Sequence, residues 1–210
     1  MHQSTIAPDL LLATSNAGKV RELRALLTGS AWRLRTPAEL GLTLEPEENG
    51  ATYADNARLK AEAFAAASGL WALADDSGLE VDALDGAPGV HSARYAGLET
   101  PHADKIALLL QAMAASPDQR RTARFRTAFV LAAPDGRIWE TEGVWEGAIA
   151  EAPRGTAGFG YDPIFLASPG DRTAAELSDE EKDRDSHRAL AATTLLSHLR
   201  ALAPLANAAR

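Results

Sequence analysis

A short apolar stretch leads directly into a helical pattern near the start of the chain, and this order constrains the fold most. Asp9–Thr14 reads DLLLAT, which is typical of a buried strand, and Gly18–Leu27 then repeats apolar residues at helical spacing. The pattern recurs with a helix predicted over Thr52–Ser68 and a strand over Trp71–Ala74. Strands that alternate with helices build a sheet covered by helices, so an α/β architecture is predicted.

The second half of the chain favours antiparallel pairing. Thr122–Ala133 and Arg137–Gly147 both have β character, and Pro134-Asp135-Gly136 between them predicts a hairpin turn. Further predicted elements are a strand over Trp32–Thr36 and helices over Ala103–Ala115, from Ser178-x-x-Glu181 onward, and from about Ser186 to Leu202. Together these elements predict a mixed sheet in an α/β or α+β protein.

Composition excludes several classes of function. The chain has 210 residues, a net charge of −8 and no cysteine, which argues against nonspecific nucleic-acid or anionic-membrane binding and against thiol chemistry. No 18-residue apolar run is present, and Met1–Pro8 lacks a basic-then-apolar signal pattern. We expect a single domain over residues 1–210, in a cytoplasmic protein with no nucleic-acid or membrane partner.

The first strand-to-helix turn is a candidate phosphate site. Thr14-Ser15-Asn16-Ala17-Gly18-Lys19 joins a strand to a helix whose first amides attract anions. The turn is not a Walker A loop, because Ala13 and Val20 replace the first glycine and the Ser/Thr of that motif. A simple capped helix start with a surface lysine is the alternative.

The scarcity of lysine draws attention to each one. The 21 basic residues include only Lys19, Lys60, Lys105 and Lys182 as lysines, so these positions are candidates for sites that need a compact ammonium group. Lys60 lies on the helix predicted from Thr52, where a solvated charged face is the alternative interpretation.

Acidic residues form two candidate metal or proton-transfer groups. Glu45, Glu47 and Glu48 precede the second helix, and Asp75-Asp76 follows the strand Trp71–Ala74. Magnesium binds carboxylate oxygens, and an aspartate at a strand end can also act as a general base. Asp-Asp-Ser-Gly can instead form an Asx-type turn.

A third group lies late in the chain. Glycines flank Phe159 in Gly158-Phe159-Gly160-Tyr161-Asp162-Pro163, which allows a ligand to approach the backbone and stack on the ring. Lys182 and Ser186-His187-Arg188 add nitrogen donors near a helix start. The alternatives are a glycine-rich turn with a buried Phe and a surface His-Arg pair. No nucleophile–His–acid triad is visible, which favours metal-assisted hydrolysis by water.

The order of these motifs resembles the inosine triphosphate pyrophosphatase family, from about Leu10 to Leu202. The segments that carry the resemblance are Thr14–Lys19, Glu47-Glu48, Asn56-Ala57-x-x-Lys60, Ala74–Leu79, Gly86–Tyr95, Phe159–Pro163 and Ser186-His187-Arg188. The resemblance implies an elongated two-lobed α/β fold with a substrate cleft between the lobes, in a homodimer. It also implies magnesium-dependent hydrolysis of ITP, dITP and XTP to the monophosphate and pyrophosphate, which cleanses the nucleotide pool.

The resemblance also implies a role for each matching residue. Asp76 is the expected catalytic proton acceptor, and Glu47 and Asp76 are the expected Mg²⁺ ligands. The expected substrate contacts are Thr14, Ser15, Asn16, Ala17, Gly18, Lys19, Lys60, Ser77, Phe159, Gly160, Tyr161, Asp162, Lys182, His187 and Arg188. Two other functions stay open: a pyrophosphatase with another base preference and a nucleotide-binding protein without turnover.

Overall fold

The computed structural model describes residues 7–208, so most of the Met1–Pro8 prediction lies outside the described residues. One six-stranded sheet has the order β2-β1-β3-β4-β5-β6. The strands are β1 Asp9–Leu12, β2 Arg33–Arg35, β3 Trp71–Val81, β4 Thr122–Ala132, β5 Ile138–Ile149 and β6 Phe165–Ala167. The α-helices of the described chain are α1 Ala17–Leu26, α2 Tyr53–Ser68, α3 His102–Ala115, α4 Asp179–Asp185 and α5 His187–Ala208.

The sheet is mixed, which confirms the predicted fold class. β1 pairs in parallel with β2 and with β3, so Leu10 lies opposite both Leu34 and Trp71. β5 and β6 are antiparallel, with Gly147 opposite Ala167. Parallel pairs need helical crossovers, and α1 and α2 occupy the chain segments between these strands.

Two helix starts are stabilised by side-chain capping. Thr52 and Asp55 form a reciprocal capping box at the start of α2, and Gly69 ends that helix at φ +66°, where a side chain would be strained. Ser178 and Glu181 form a second capping box at the start of α4. These contacts satisfy amides that the first helical turn leaves unpaired.

One predicted alternative is wrong, and one element was not predicted. β3 continues as a strand through Asp75, Asp76 and Ser77 to Val81, so the Asx-turn interpretation of this segment fails. Pairing within the sheet outweighs the local turn tendency of the Asp and Gly residues. The three-residue β6 is too short to produce an alternating sequence pattern.

The chain divides into two compact units. Among the described residues, unit 1 comprises 7–76, 128–142 and 191–208, and unit 2 comprises 77–127 and 143–190. The boundaries fall inside β3, β4, β5 and α5. Because the boundaries lie within strands and a helix, the composition of the sequence does not reveal them. The predicted cleft between two lobes stays a prediction.

The core of unit 1 has two layers set by strand alternation. Leu10 and Leu12 of β1 pack in one cluster with Leu195 and Leu199 of α5. Leu11 lies between them in sequence and packs in another cluster, which includes Ala57 and Ala61 of α2. Successive residues of a strand face opposite sides, so this short apolar stretch supplies both layers.

The long helix α5 is apolar enough to meet a length-and-composition criterion for a membrane span, over His187–Ala206. Its mean hydropathy is 1.2 over the most apolar window, and 39% of that window is buried. Leu195, Leu199 and Leu202 of this helix are buried in the unit 1 core. A core helix has the same composition, so this feature is weak evidence for a membrane.

Candidate active site

The first strand-to-helix turn is organised by Asn16 at the start of α1. The Asn16 side chain accepts a hydrogen bond from the Lys19 amide at 3.1 Å, and the Asn16 amide donates to Thr14 Oγ1 at 3.2 Å. Ser15, Asn16 and Ala17 are exposed. The turn is therefore a capped helix start, and its exposed small residues leave its backbone accessible.

Lys19 extends from this turn to the first acidic residue of β3. Its Nζ lies 3.1 Å from Asp75 Oδ2 and also approaches the Asp75 carbonyl oxygen at 3.5 Å. The Asp75 side chain has no solvent exposure and that of Lys19 is largely covered. The two segments that the sequence singled out separately, the first turn and the Asp-Asp pair, therefore meet in unit 1.

Asp76 is held by two residues on one face of α2. Lys60 Nζ donates to Asp76 Oδ1 at 3.1 Å, and Asn56 Nδ2 donates to Asp76 Oδ2 at 3.2 Å. Asn56 and Lys60 are one helical turn apart, so both side chains reach the same point of β3. Asn56 belongs to the quoted motif but was not predicted as a site residue, and its spacing from Lys60 was the available signal.

The acidic loop before α2 also reaches this cluster, through Glu48. Glu48 Oε1 lies 3.1 Å from Lys60 Nζ, whereas Glu47 is exposed and has no ion pair within the described chain. The loop is fixed by the Gly50 amide, which donates to Asn56 Oδ1 at 2.8 Å. A Cβ at Gly50 would lie 2.5 Å from Asp55 Cβ, so only glycine allows this close approach.

We call Glu48, Asp75, Asp76, Lys19 and Lys60 the acid–lysine cluster. Burial and charge shift the pKa of two of its members, Asp76 and Lys60. Burial raises the pKa of Asp76 above its ordinary value, although Lys60 and Lys19 act to lower it. Burial acts to lower the pKa of Lys60, but the carboxylates of Asp76, Asp75 and Glu48 outweigh it and raise that pKa. The Lys60 ammonium group therefore stays charged at neutral pH.

The late glycine-rich loop forms a second group of predicted residues, in unit 2. Asp162 Oδ2 accepts from the Phe159 amide at 2.9 Å and from Lys182 Nζ at 2.8 Å. A Cβ at Gly158 would lie 2.0 Å from Asp162 Oδ2, and Gly158 has a φ of +76°. Glycine at this position lets the loop close around the Asp162 carboxylate.

Cations lie over the Phe159 ring. Lys182 Nζ is 5.6 Å and Arg188 Cζ is 5.4 Å from the ring centroid. Arg188 also donates to Ser77 Oγ at 2.6 Å. Ser77 lies on β3, directly after Asp76.

Several predicted substrate contacts are buried within unit 2, among them Tyr161 and His187. Tyr161 is 4% exposed and its hydroxyl donates to the Ser92 carbonyl at 3.1 Å, so it anchors the loop to the core. Burial, with a contribution from Tyr95, raises the Tyr161 pKa well above its ordinary value. The His187 imidazole is also buried.

The carboxylates of the acid–lysine cluster are suitable ligands for a hard cation whose other ligands come from a substrate and water. Within residues 7–208, no three His, Asp or Glu side chains are grouped closely enough to hold a metal ion by themselves. Magnesium usually takes one or two carboxylates together with substrate phosphates and water. Asp76 and Glu48, with Asp75 beside them, offer carboxylate oxygens of this kind.

Comparison with known proteins places the chain among relatives of one kind. A sequence profile of the Ham1 family matches residues 10–198. A dITP/XTP pyrophosphatase of Methylococcus capsulatus is 52% identical over 195 residues, which cover 92% of this chain and 96% of the relative. A dITP/XTP pyrophosphatase of Thermus thermophilus is 51% identical over 187 residues, 89% of each chain.

A solved structure shows the same fold. The HAM1 protein of Coxiella burnetii superposes with a TM-score of 0.84 at 41% identity, over 91% of this chain and 98% of that protein.

Proposed function

Because this chain belongs to the Ham1 family, we propose that it hydrolyses deaminated purine nucleoside triphosphates, namely ITP, dITP and XTP. The products are the nucleoside monophosphate and pyrophosphate, and the role is to cleanse the nucleotide pool of the cytoplasm. The observation that carries this proposal is the buried Asp76, which Lys60 and Asn56 hold beside the Lys19–Asp75 pair.

The acid–lysine cluster supports binding of the polyphosphate. Lys19 and Lys60 are the ammonium groups that neutralise phosphate oxygens, and the exposed turn Ser15–Ala17 offers backbone amides at the start of α1. The neighbouring carboxylates keep Lys60 charged, and Asp75 holds Lys19 in place. The cost of placing a negatively charged substrate near three carboxylates is then offset by these cations and by a metal ion.

Asp76 is suited to accept the proton of the attacking water. A general base works best when its pKa approaches the working pH, and burial raises the pKa of Asp76 in that direction. Asn56 and Lys60 hold its two oxygens and orient the carboxylate. Asp76 therefore offers a carboxylate in a fixed position, and burial acts to raise its pKa.

We propose magnesium as the cofactor, held by Asp76 and by an acidic residue of the loop before α2. A bound Mg²⁺ polarises phosphoryl oxygens and neutralises charge that develops on them. The resemblance assigns the loop ligand to Glu47, whereas the position of Glu48 beside Lys60 supports Glu48. Asp76 and Glu48 would hold the metal through their carboxylate oxygens.

The Phe159 loop supports recognition of the base. Hypoxanthine and xanthine carry a keto oxygen at position 6, where adenine carries an amino group. His187 and Arg188 are nitrogen donors that can pair with the keto oxygen. The adenine amino group is itself a donor, so with adenine these protein donors would have no acceptor. Phe159 offers an aromatic face for stacking, and Lys182 holds the loop through Asp162.

The test is product identification with a panel of nucleotides. We expect purified protein to convert ITP, dITP and XTP to monophosphate and pyrophosphate in the presence of Mg²⁺, and ATP and GTP far more slowly. Release of orthophosphate, or a preference for pyrimidine triphosphates, would contradict the proposal. Binding without any turnover would identify a nucleotide-binding protein instead. Sedimentation of the same sample tests the homodimer that we propose as the assembly.

Replacement of Asp76 by Asn tests the central residue. Asp76→Asn keeps the shape but removes the charge, so we expect hydrolysis to fall by about 10²- to 10⁴-fold, the range of general-base contributions. Asp171→Asn is the matched control, because Asp171 is exposed in a loop, and we expect it to retain activity. Near-normal turnover by folded Asp76→Asn would remove Asp76 as the base.

A further inference from the structure

The His187 imidazole lies parallel to two aromatic rings in the core of unit 2. Its ring centroid is 5.0 Å from that of Phe125 at an interplanar angle of 15°, and 6.5 Å from that of Trp145 at 17°. His187, Phe125 and Trp145 are 6%, 8% and 5% exposed. Phe125 lies on β4 and Trp145 on β5, so regular strands carry both rings.

A third ring fixes the first two. Phe165 at the start of β6 is fully buried, and its ring centroid lies 4.5 Å from Phe125 and 5.2 Å from Trp145. Tilted aromatic pairs at these distances are favourable beyond the area they bury. A Cβ at Gly147 of β5 would lie 2.5 Å from Phe165 Cζ, so glycine at that position lets Phe165 pack.

This packing constrains the plane of the imidazole. The terminal torsion of histidine is broad, so the side chain alone does not select one ring orientation. Hydrogen bonds of the two ring nitrogens lie in the ring plane, and parallel packing against Phe125 and Trp145 therefore fixes the directions in which His187 can donate or accept. A buried ring that is held in this way offers its nitrogens in a restricted set of directions.

We infer that Phe125 and Trp145 are positioning residues that set the plane of His187 and thereby the discrimination between 6-keto and 6-amino purines. The inference rests on the proposed function, in which His187 contacts the base. Neither ring needs to touch the substrate. Their effect is on the geometry of the donor, so their loss weakens selectivity even where the substrate still binds.

The experiment measures the ratio of kcat/KM for dITP to that for dATP, together with the ring signals of His187 in ¹H–¹⁵N spectra. We expect Phe125→Leu and Trp145→Leu to lower the ratio roughly two- to tenfold, the fold-change that loss of an aromatic contact produces, and to shift the His187 ring signals. Trp145→Phe retains a ring and should restore most of the ratio.

Phe129→Leu is the matched control, because it makes the same exchange on β4 in the core of unit 1. It should lower stability without changing the ratio or the His187 signals. If Phe125→Leu does not fold, the Trp145→Leu and Trp145→Phe pair decides the question.

Two results would overturn the inference: an unchanged ratio in folded Trp145→Leu, or an equal loss in Phe129→Leu. A wild-type protein that hydrolyses neither dITP nor XTP would overturn the proposed function and the selectivity role together. The His187 ring signals of the same variants would then decide the positioning role independently.

Discussion

At the residue scale, all four lysines of the chain occupy covered positions. Lys60, Lys105 and Lys182 are 8%, 2% and 7% exposed, and Lys19 is also largely covered. Three of them contact carboxylates at the candidate active site, while Lys105 donates to the Ala93 carbonyl. A compact ammonium fits such sites better than the planar guanidinium of arginine. The few lysines of the sequence therefore mark covered positions, and one of them, Lys105, lies outside the proposed site.

The family resemblance and the observed contacts favour different metal ligands in the loop before α2: the resemblance favours Glu47, and the contact with Lys60 favours Glu48. We expect Glu48→Gln to lower Mg²⁺-dependent hydrolysis about 10- to 100-fold and to raise the Mg²⁺ concentration required, because Glu48 reaches Lys60 beside Asp76. Glu47→Gln, the matched variant at an exposed neighbour, should stay near wild type. Titration of activity with Mg²⁺ measures both. The opposite order of effects would restore Glu47 as the ligand.

Truncation of Arg188 to alanine tests its proposed role in recognition of the base. Arg188→Ala removes the donor to Ser77 and the cation over Phe159. We expect turnover of ITP to fall by about tenfold or more, since hydrogen bonds from charged groups contribute roughly 1.5–3 kcal/mol, while the protein stays folded. Kinetics with ITP and ATP, and circular dichroism, give the comparison. Equal losses for both nucleotides would argue against a role in base selection.

At the scale of elements, α4 is a short helix whose start is held by Glu181. The Glu181 carboxylate accepts from the Ser178 amide at 2.9 Å and pairs with Arg172 at 3.1 Å. A helix start was predicted at Ser178-x-x-Glu181, but the Arg172 contact was not, because loop conformation decides it. The same helix carries Lys182, so its stability bears on the Asp162 contact.

The Glu181 carboxylate predicts a specific loss of stability in acid. Hydrogen bonds from Arg172 and Ser178 lower its pKa from 4.5 to about 2. A lowered carboxyl pKa stabilises the folded state above pH 4.5, and this contribution is lost as the pH falls from 4.5 toward 2. Wild type should therefore have a higher Tm than Glu181→Gln at pH 7, and the difference should vanish near pH 2. A difference in Tm that is independent of pH would contradict this assignment.

The strand β3 shows how tertiary pairing overrides a local signal. Asp75, Asp76 and Gly78 have turn character in isolation, yet they continue the strand from Trp71 to Val81. Their extended backbone gives the adjacent carboxylates separate partners, Lys19 for Asp75 and Lys60 for Asp76. Adjacent residues of a strand point to opposite faces of the sheet, which is consistent with these separate contacts.

At the scale of the whole molecule, the described chain is built as two units whose boundaries lie inside secondary structure. Residues 7–76, 128–142 and 191–208 contribute to unit 1, so its core depends on segments far apart in the chain. Leu199 of α5 is fully buried in that core, and its carbonyl accepts a hydrogen bond from Trp32 Nε1 at 2.9 Å. The C-terminal helix is thus part of the fold of the N-terminal strands.

A pair of leucines on α5 tests this dependence. Leu199→Ala should lower the free energy of unfolding by about 2–5 kcal/mol, because it leaves a cavity in a packed core. Leu205→Ala makes the same change at a side chain that is 50% exposed and should cost about 0.5 kcal/mol or less. Denaturant unfolding of both variants measures the difference. Similar losses would indicate that α5 does not support the unit 1 core.

The sequence alone determined the fold class, most helices and strands, and the identity of most candidate site residues. These rest on local physics: apolar periodicity, capping residues and glycine at turns act over a few positions of the chain. The ordered motifs also indicated the family, because many short segments had to match in one order.

Only the tertiary structure decided which of these residues meet. The contact of Glu48 with Lys60, the contact of Asn56 with Asp76 and the packing of His187 against Phe125 and Trp145 join distant segments. Such contacts follow from sheet order and strand register, which bring side chains together across dozens of residues. Secondary-structure propensity acts within a single helix or strand. It therefore does not predict contacts between residues on different helices and strands.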